Sequence, residues 1–192
     1  MIILLTSENY TKLKLIKKWI KKNNLDDVSF LKFNKKDTLL PIQPINSGAE
    51  LSCNESVNNM EEKESRCYDI IMSFDECIDI ENNEILFYFY IVCKNILTNE
   101  KIEGKSKYIK IDYNILEKHP KFMNVIKELY NNYIDTKCKY IYDGCELTLS
   151  KIISNNHSNF DEDNWTENLK YIKKEDMLFD TFEEINLVSL LS

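Results

Sequence analysis

Glycine and proline are scarce in this chain, at three residues each among 192. That scarcity excludes a collagen-like repeat and a glycine- or proline-rich linker, and it leaves sharp turns to Asn and Asp. Ala49 is the only alanine and Arg66 the only arginine, so the usual helix fillers are missing and helix signals are blurred. There are two histidines and six cysteines, with no Cys-x-x-Cys pair, so a structural zinc site has little support. Scattered cysteines of this kind are expected as buried thiols in a reducing compartment. No apolar run reaches the length of a membrane span, and residues 1–5 are too short for the core of a signal peptide. Positive charge is also in deficit, with a net charge of −7. A duplex-binding domain carries the opposite sign, because its affinity comes from neutralising phosphates. The expectation is a soluble, cytoplasmic protein with no nucleic-acid and no membrane partner.

What is present is an ordinary globular mixture, 43% hydrophobic and 30% charged, in a length that suits a single domain over residues 1–192. Residues 2–6 are an apolar run, read as a buried strand. Ser7 is placed to cap a helix over residues 10–20, where Leu13, Leu15, Ile16, Trp19 and Ile20 fall largely on one face. Residues 28–33 alternate as a second strand, and residues 41–48 form a loop. A weakly amphipathic helix over residues 49–64 follows, then a strand over 68–74 that runs into Asp75, Glu76 and Cys77. Asn82-Asn83 reads as a hairpin turn, since asparagine tolerates left-handed geometry. Residues 85–93 form a continuous apolar run, as expected of a central strand. A turn over 97–103 leads to a strand over 105–111. Helices are expected over 120–133, 146–154 and 181–191, a strand over 138–142, and a polar loop over 155–168. The order of elements implies an α/β fold, a mixed twisted sheet flanked by helices.

Four places could carry chemistry. The first strand-to-helix junction holds Ser7, Asn9 and Lys12. A helix N-terminus there offers free N–H groups and a positive dipole end to a phosphate, although an ordinary helix cap would look the same. Asp75 ends an apolar strand, where ligands gather in α/β sheets, and a carboxylate there could hold Mg²⁺ or be a solvated acidic turn. Glu50, after Gly48-Ala49, is either a second metal ligand or a first-turn acid that offsets the helix dipole. Gly104-Lys105-Ser106 is a small polar turn. It lacks the upstream glycine and the following helix of a P-loop.

The order of these pieces resembles the inosine/xanthosine triphosphatase family. That family opens with a strand and a Thr/Ser-x-Asn-Pro-x-Lys junction, matched here by Ser7-Glu8-Asn9-Tyr10-Thr11-Lys12. Gln43-Pro44 leading to Glu50-Leu51 is similar to its proline loop and Glu-Thr helix start. Asp69, the apolar run over 70–72 and Ser73-Phe74-Asp75-Glu76-Cys77 stand where the family has an aspartate, a strand and Gly-Ile-Glu-Gly-Gly. Gly104, Ser106 and Ile115-Leu116-Glu117 match a later turn and helix, and Phe182-Glu183-Glu184-Ile185 the last helix. The resemblance covers residues 2–131 and 171–191. It implies two lobes around a central cleft and a divergent polar insertion near 135–170. It also implies Mg²⁺-dependent (or Mn²⁺-dependent) hydrolysis of deaminated purine nucleoside triphosphates, and a homodimer. Asp75 and Glu50 would be the catalytic metal ligands, and Ser7, Asn9, Lys12, Gly104 and Ser106 would bind the nucleotide.

The departures support a different reading, a catalytically degenerate relative that binds a nucleotide or a protein. The family's glycines after the acidic residue let backbone pass close to ligand, and here they are Glu76 and Cys77. The proline of the first junction is Tyr10. A carboxylate at Glu76 would oppose a triphosphate by about 4 kcal/mol per charge pair at ~4 Å, unless a metal lay between.

Overall fold

The computed structural model describes residues 1–7, 9–25, 27–33, 48–61, 67–82, 84–112, 149–150, 153 and 165–191. In chain order these form β1 (Ile2–Leu5), α1 (Tyr10–Lys22), β2 (Ser29–Lys32), α2 (Gly48–Glu61), β3 (Ile70–Glu81), β4 (Glu84–Asn95), β5 (Lys101–Lys105) and β6 (Ile109–Ile111). Three helical segments follow: α3 (Trp165–Asn168), α4 (Lys174–Glu184) and α5 (Leu187–Leu190). The fold is α/β, with a mixed six-stranded sheet flanked by helices. The strand order is β2-β1-β3-β4-β5, and β6 also pairs with β4. The pairs β2–β1 and β1–β3 are parallel, while β4 runs antiparallel to β3, β5 and β6.

Side-chain alternation divides the sheet into two faces. Ile3, Leu5, Ile70, Met72, Phe74 and Ile78 pack with α1, α4 and α5, in one core. Leu4, Ile71 and Val92 pack under Cys53, Val57 and Met60 of α2, on the other face. The two crossover helices therefore lie on opposite sides of the sheet. Trp19 of α1 is fully buried and meets Phe182 of α4 edge to face at 5.2 Å, which ties the C-terminal helices to the first one.

Several expected boundaries move. Asn9, not Ser7, caps α1: its Oδ1 accepts the N–H groups of Thr11 at 2.8 Å and Lys12 at 3.3 Å. Ser7 Oγ accepts the N–H of Asn9 at 3.2 Å, one step outside the helix. The strand expected to end at Phe74 continues to Glu81, because the Asn82 turn (φ 48°) lets β3 and β4 pair along their whole length. Of the strand expected over 105–111 only the ends are strand, Lys105 closing β5 and Ile109–Ile111 forming β6, and β5 begins at Lys101, within the turn expected over 97–103. At the break Ser106 donates its N–H to Phe89 O and accepts the Phe89 N–H on its hydroxyl, both at 2.9 Å. The last helix begins earlier than expected and is interrupted at Asn186, which adopts left-handed geometry at φ 53°. Within the loop expected over 155–168, residues 165–168 are helical and bury Trp165. The helix expected over 120–133 and the strand over 138–142 lie outside the described residues, as does most of the segment 135–170. Of the cysteines described, Cys53, Cys77 and Cys93 are buried and Cys67 is exposed, all as free thiols.

Candidate functional site

In this sheet β1 has a parallel neighbour on each side, and the connections to those neighbours pass over opposite faces. The C-terminal end of β1 is thus the point where the chain's crossovers diverge, the place where open α/β sheets form a crevice. Here β1 stops at Leu5 and Thr6 makes a last bond to Met72 O at 3.0 Å, while β3 runs on to Glu81. Past Met72, the side of β3 that faced β1 is met by a side chain. Lys12, from the first turn of α1, donates to Phe74 O at 2.6 Å and to Asp75 Oδ1 at 2.6 Å. Its ammonium also lies 5.1 Å from the centre of the Phe74 ring.

The rest of the Asp75 carboxylate is held by α2. Ser52 Oγ donates to Oδ2 at 3.1 Å, and Cys53 Sγ lies 3.8 Å from the same oxygen. The pair is largely shielded from water, with side-chain exposures of 16% for Lys12 and 12% for Asp75. Burial works to lower the Lys12 pKa, and the Asp75 carboxylate outweighs it, so the net shift is upward. Glu50 lies one helical turn before Cys53 and is exposed at the rim.

Tyr90 stands directly across from Asp75 in the β3–β4 register and is half-buried. Burial raises its phenol pKa, and the Glu103 and Glu50 carboxylates push it further up. Tyr90 therefore stays a hydrogen-bond donor at neutral pH. Burial holds the Cys77 thiol in its neutral form as well.

The structure thus brings Asn9, Lys12 and Asp75 together between the starts of α1 and α2, with Ser7 and Glu50 at the margins. It does not bring Gly104 to that group. An added Cβ at Gly104 would lie 2.2 Å from Ile185 Cγ2, so the missing side chain serves helix packing on the opposite face. Ser106 is buried and occupied with the backbone at the β5–β6 break. Glu76 also turns away from Asp75, as adjacent strand residues must. It is paired with Lys174 at 3.0 Å and accepts from Ser150 at 3.1 Å. The pleat and this second lysine reduce the expected repulsion, although the Glu76 charge still contributes to raising the Lys12 pKa.

Ser52, Cys53, Tyr90 and Lys174 were not singled out from the sequence. One of them was within reach. A two-residue turn at Asn82-Asn83 pairs Glu81 with Glu84, and counting back along both strands pairs Asp75 with Tyr90. Lys174 carried no such signal, because its partner lies 98 residues away.

The sequence matches no known family profile and no curated protein. Among solved structures, protein VC0702 from Vibrio cholerae is similar, with a TM-score of 0.67 over 99% of this chain and 95% of that one. The two share a fold. Their identity is 10%, so the likeness speaks of the fold alone. A nucleoside-triphosphatase / dITP/XTP pyrophosphatase from Mycobacterium abscessus matches 55% of this chain and 72% of its own length, with 12% identity and a TM-score of 0.38. That overlap is too slight to bear on the site. Among the described residues no helix is long and apolar enough to cross a membrane. Nor do three His, Cys, Asp or Glu side chains group there so as to hold a metal ion.

Proposed function

We propose that this chain binds and hydrolyses deaminated purine nucleoside triphosphates, of the inosine and xanthosine type, at the crevice beyond β1. The observation that carries this reading is the Lys12–Asp75 pair, in which a cation from the first turn of α1 meets a carboxylate held by Ser52 of α2. A metal–polyphosphate complex has the same two charges in reverse, so it can be exchanged for the pair. The ammonium of Lys12 passes from Asp75 to a phosphate, and the carboxylate becomes free to act as a ligand.

The donor set suits a cation that arrives with the nucleotide. Mg²⁺ takes one or two carboxylates and completes its shell with phosphate oxygens and water, and Mn²⁺ has the same preference for oxygen. Asp75 and Glu50 supply carboxylates, and the described residues contain no larger cluster. Bound there, the metal would supply charge neutralisation and would polarise a water. Lys12 holds phosphate, Ser52 keeps Asp75 oriented, and Ser7 and Asn9 shape the turn that presents the α1 N-terminus. Gly104 and Ser106 border the nucleotide only through the strands they support. The homodimer and the cytoplasmic setting implied by the family resemblance belong to the same proposal.

The test is release of phosphate or pyrophosphate from inosine triphosphate with Mg²⁺, comparing the protein with Asp75→Asn. Equal turnover by the two would reject hydrolysis at this site. A second reading, a binding module without turnover, is favoured by one observation: both oxygens of Asp75 are already satisfied by Lys12 and Ser52. Calorimetry separates the two, since nucleotide binding without product release supports the module and turnover eliminates it.

A further inference from the structure

Hydroxyls gather on the face of the sheet that α2 covers. Ile71 packs under α2, so alternation along β3 puts Ser73 and Asp75 on that same face. Ser52 and Ser56 are on the buried side of α2, and all three serines are at most 2% exposed. Two of these hydroxyls are engaged: Ser52 donates to Asp75 Oδ2 at 3.1 Å, and Ser56 to Ser52 O at 2.8 Å. Ser73 Oγ is buried and has no hydrogen-bond partner among the described residues. Trp19 Nε1 and Thr166 Oγ1 share that state, but they belong to helices of the other face.

A buried hydroxyl left without a partner costs stability, so a position that keeps one calls for a reason. The surroundings of Ser73 offer few acceptors. Across the β3–β4 ladder it faces Val92, whose side chain is apolar. On the other side the β1–β3 register, carried one step past Leu5 and Met72, brings up Thr6, which donates its N–H to Met72 O at 3.0 Å. Asp75 lies two residues further along the strand, about 6.7 Å away on the same face. Strand side chains lean along the strand, so a carboxylate turned toward Ser73 comes within reach of its hydroxyl. Lys12 and Ser52 hold that carboxylate the other way.

We propose that Ser73 is a positioning residue, the hydroxyl that takes hold of Asp75 when a metal–polyphosphate draws Lys12 away. This rests on the nucleotide reading given above and adds a residue to it. The exchange leaves the carboxylate without its ammonium in a place with little water. A carboxylate accepts at about four sites on its two oxygens, so it can keep Ser52, gain Ser73 and still face a cation. A hydrogen bond to an ionised acceptor is stronger than one between neutral groups, so this one fixes the direction in which the carboxylate points. Ser73 is idle while Lys12 holds Asp75 and engaged once it does not. Loss of its hydroxyl therefore relieves the first state and weakens the second.

The experiment takes two measurements on the full chain, the urea midpoint without ligand and the calorimetric affinity for inorganic tripolyphosphate with Mg²⁺. Ser73→Ala is expected to leave the midpoint unchanged or raise it, and to weaken tripolyphosphate binding about ten-fold or more, the scale of one hydrogen bond to a charged group. In an Asp75→Asn background the same substitution should weaken binding far less, because the charge it holds is gone. Equal losses in the two backgrounds overturn the inference, since Ser73 then acts on something other than Asp75. A lowered midpoint in Ser73→Ala overturns it as well, since the hydroxyl is then engaged while Lys12 holds Asp75, and so does an unchanged affinity. In each of these cases the nucleotide reading stands. If Asp75→Asn does not fold or no longer binds, the opposed movements of midpoint and affinity in Ser73→Ala decide alone. Wild-type protein that binds neither tripolyphosphate nor inosine triphosphate overturns both readings.

Discussion

Lys12 and Asp75, 63 residues apart in sequence, meet at 2.6 Å across the end of β1. Each is the main counter-charge of the other in a place with little water. Removing one partner should cost more than removing both. Lys12→Met is expected to destabilise the protein by about 2–3 kcal/mol, somewhat under the ~3–5 kcal/mol of a fully buried pair because some exposure remains. Asp75→Asn should cost a similar amount. The double variant should cost clearly less than the sum, and urea unfolding of all four proteins measures the difference. Strict additivity would mean that the pair contributes nothing.

The same lysine sets part of the alkaline limit. Its folded pKa lies above the ordinary 10.5. A lysine raised in this way contributes stability that is whole below its unfolded value and is lost as pH rises through the folded one. Tyr88 and Tyr90, raised chiefly by burial, act in the same direction above their ordinary 10.0. Melting temperature should therefore decline above about pH 10. The decline should be shallower in Lys12→Met, which has already lost the lysine's share. Identical slopes in the two proteins would show that Lys12 does not titrate with folding.

Gly104 should tolerate no side chain. The methyl of alanine would meet Ile185 Cγ2 at 2.2 Å, far inside van der Waals contact. Gly104→Ala is expected to cost about 1–3 kcal/mol, as overpacking does. Ile185→Leu moves the branch off Cβ at equal volume and should recover part of that loss. A denaturant series on the two single variants and the double variant checks this. If Gly104→Ala is neutral, the close approach of β5 to the end of α4 is not as described.

Glu76 follows Asp75 directly in β3 and faces away from it. Its partner Lys174 is 9% exposed at the side chain. Glu76→Gln should destabilise by about 2–3 kcal/mol by leaving that ammonium short of a counter-charge. Glu76→Leu with Lys174→Met should return most of the loss, since apolar pairs replace buried ion pairs well. Turnover per folded molecule, if the protein is active, should not rise in Glu76→Gly. A large gain there would place Glu76 at the phosphates after all.

Local patterns made much of the fold legible. The apolar stripe of Leu13, Ile16, Trp19 and Ile20 marked α1, and the paired asparagines marked the turn between β3 and β4. Helix α2 was harder to see because its buried side contains Ser52 and Ser56 beside Cys53 and Val57, and hydroxyls weaken the apolar contrast. Ser56 is accommodated there by donating to Ser52 O at 2.8 Å. The site was legible as a set of polar residues at strand ends, Lys12 and Asp75 among them. The missing information was the extent of β3. With the strand taken to end at Phe74, Asp75 and Glu76 looked like one acidic turn; within a strand they belong to different faces.

By itself the sequence determined the net negative charge, most of the alternation of strands and helices and the polar junctions where chemistry can occur, because each depends on composition or on neighbours within a few turns of chain. Tertiary structure alone decided that Lys12 closes on Asp75, that Glu76 turns to Lys174, and that Gly104 serves packing against Ile185. Those contacts follow from strand order and register, which pair residues far apart in the chain and which local periodicity does not encode.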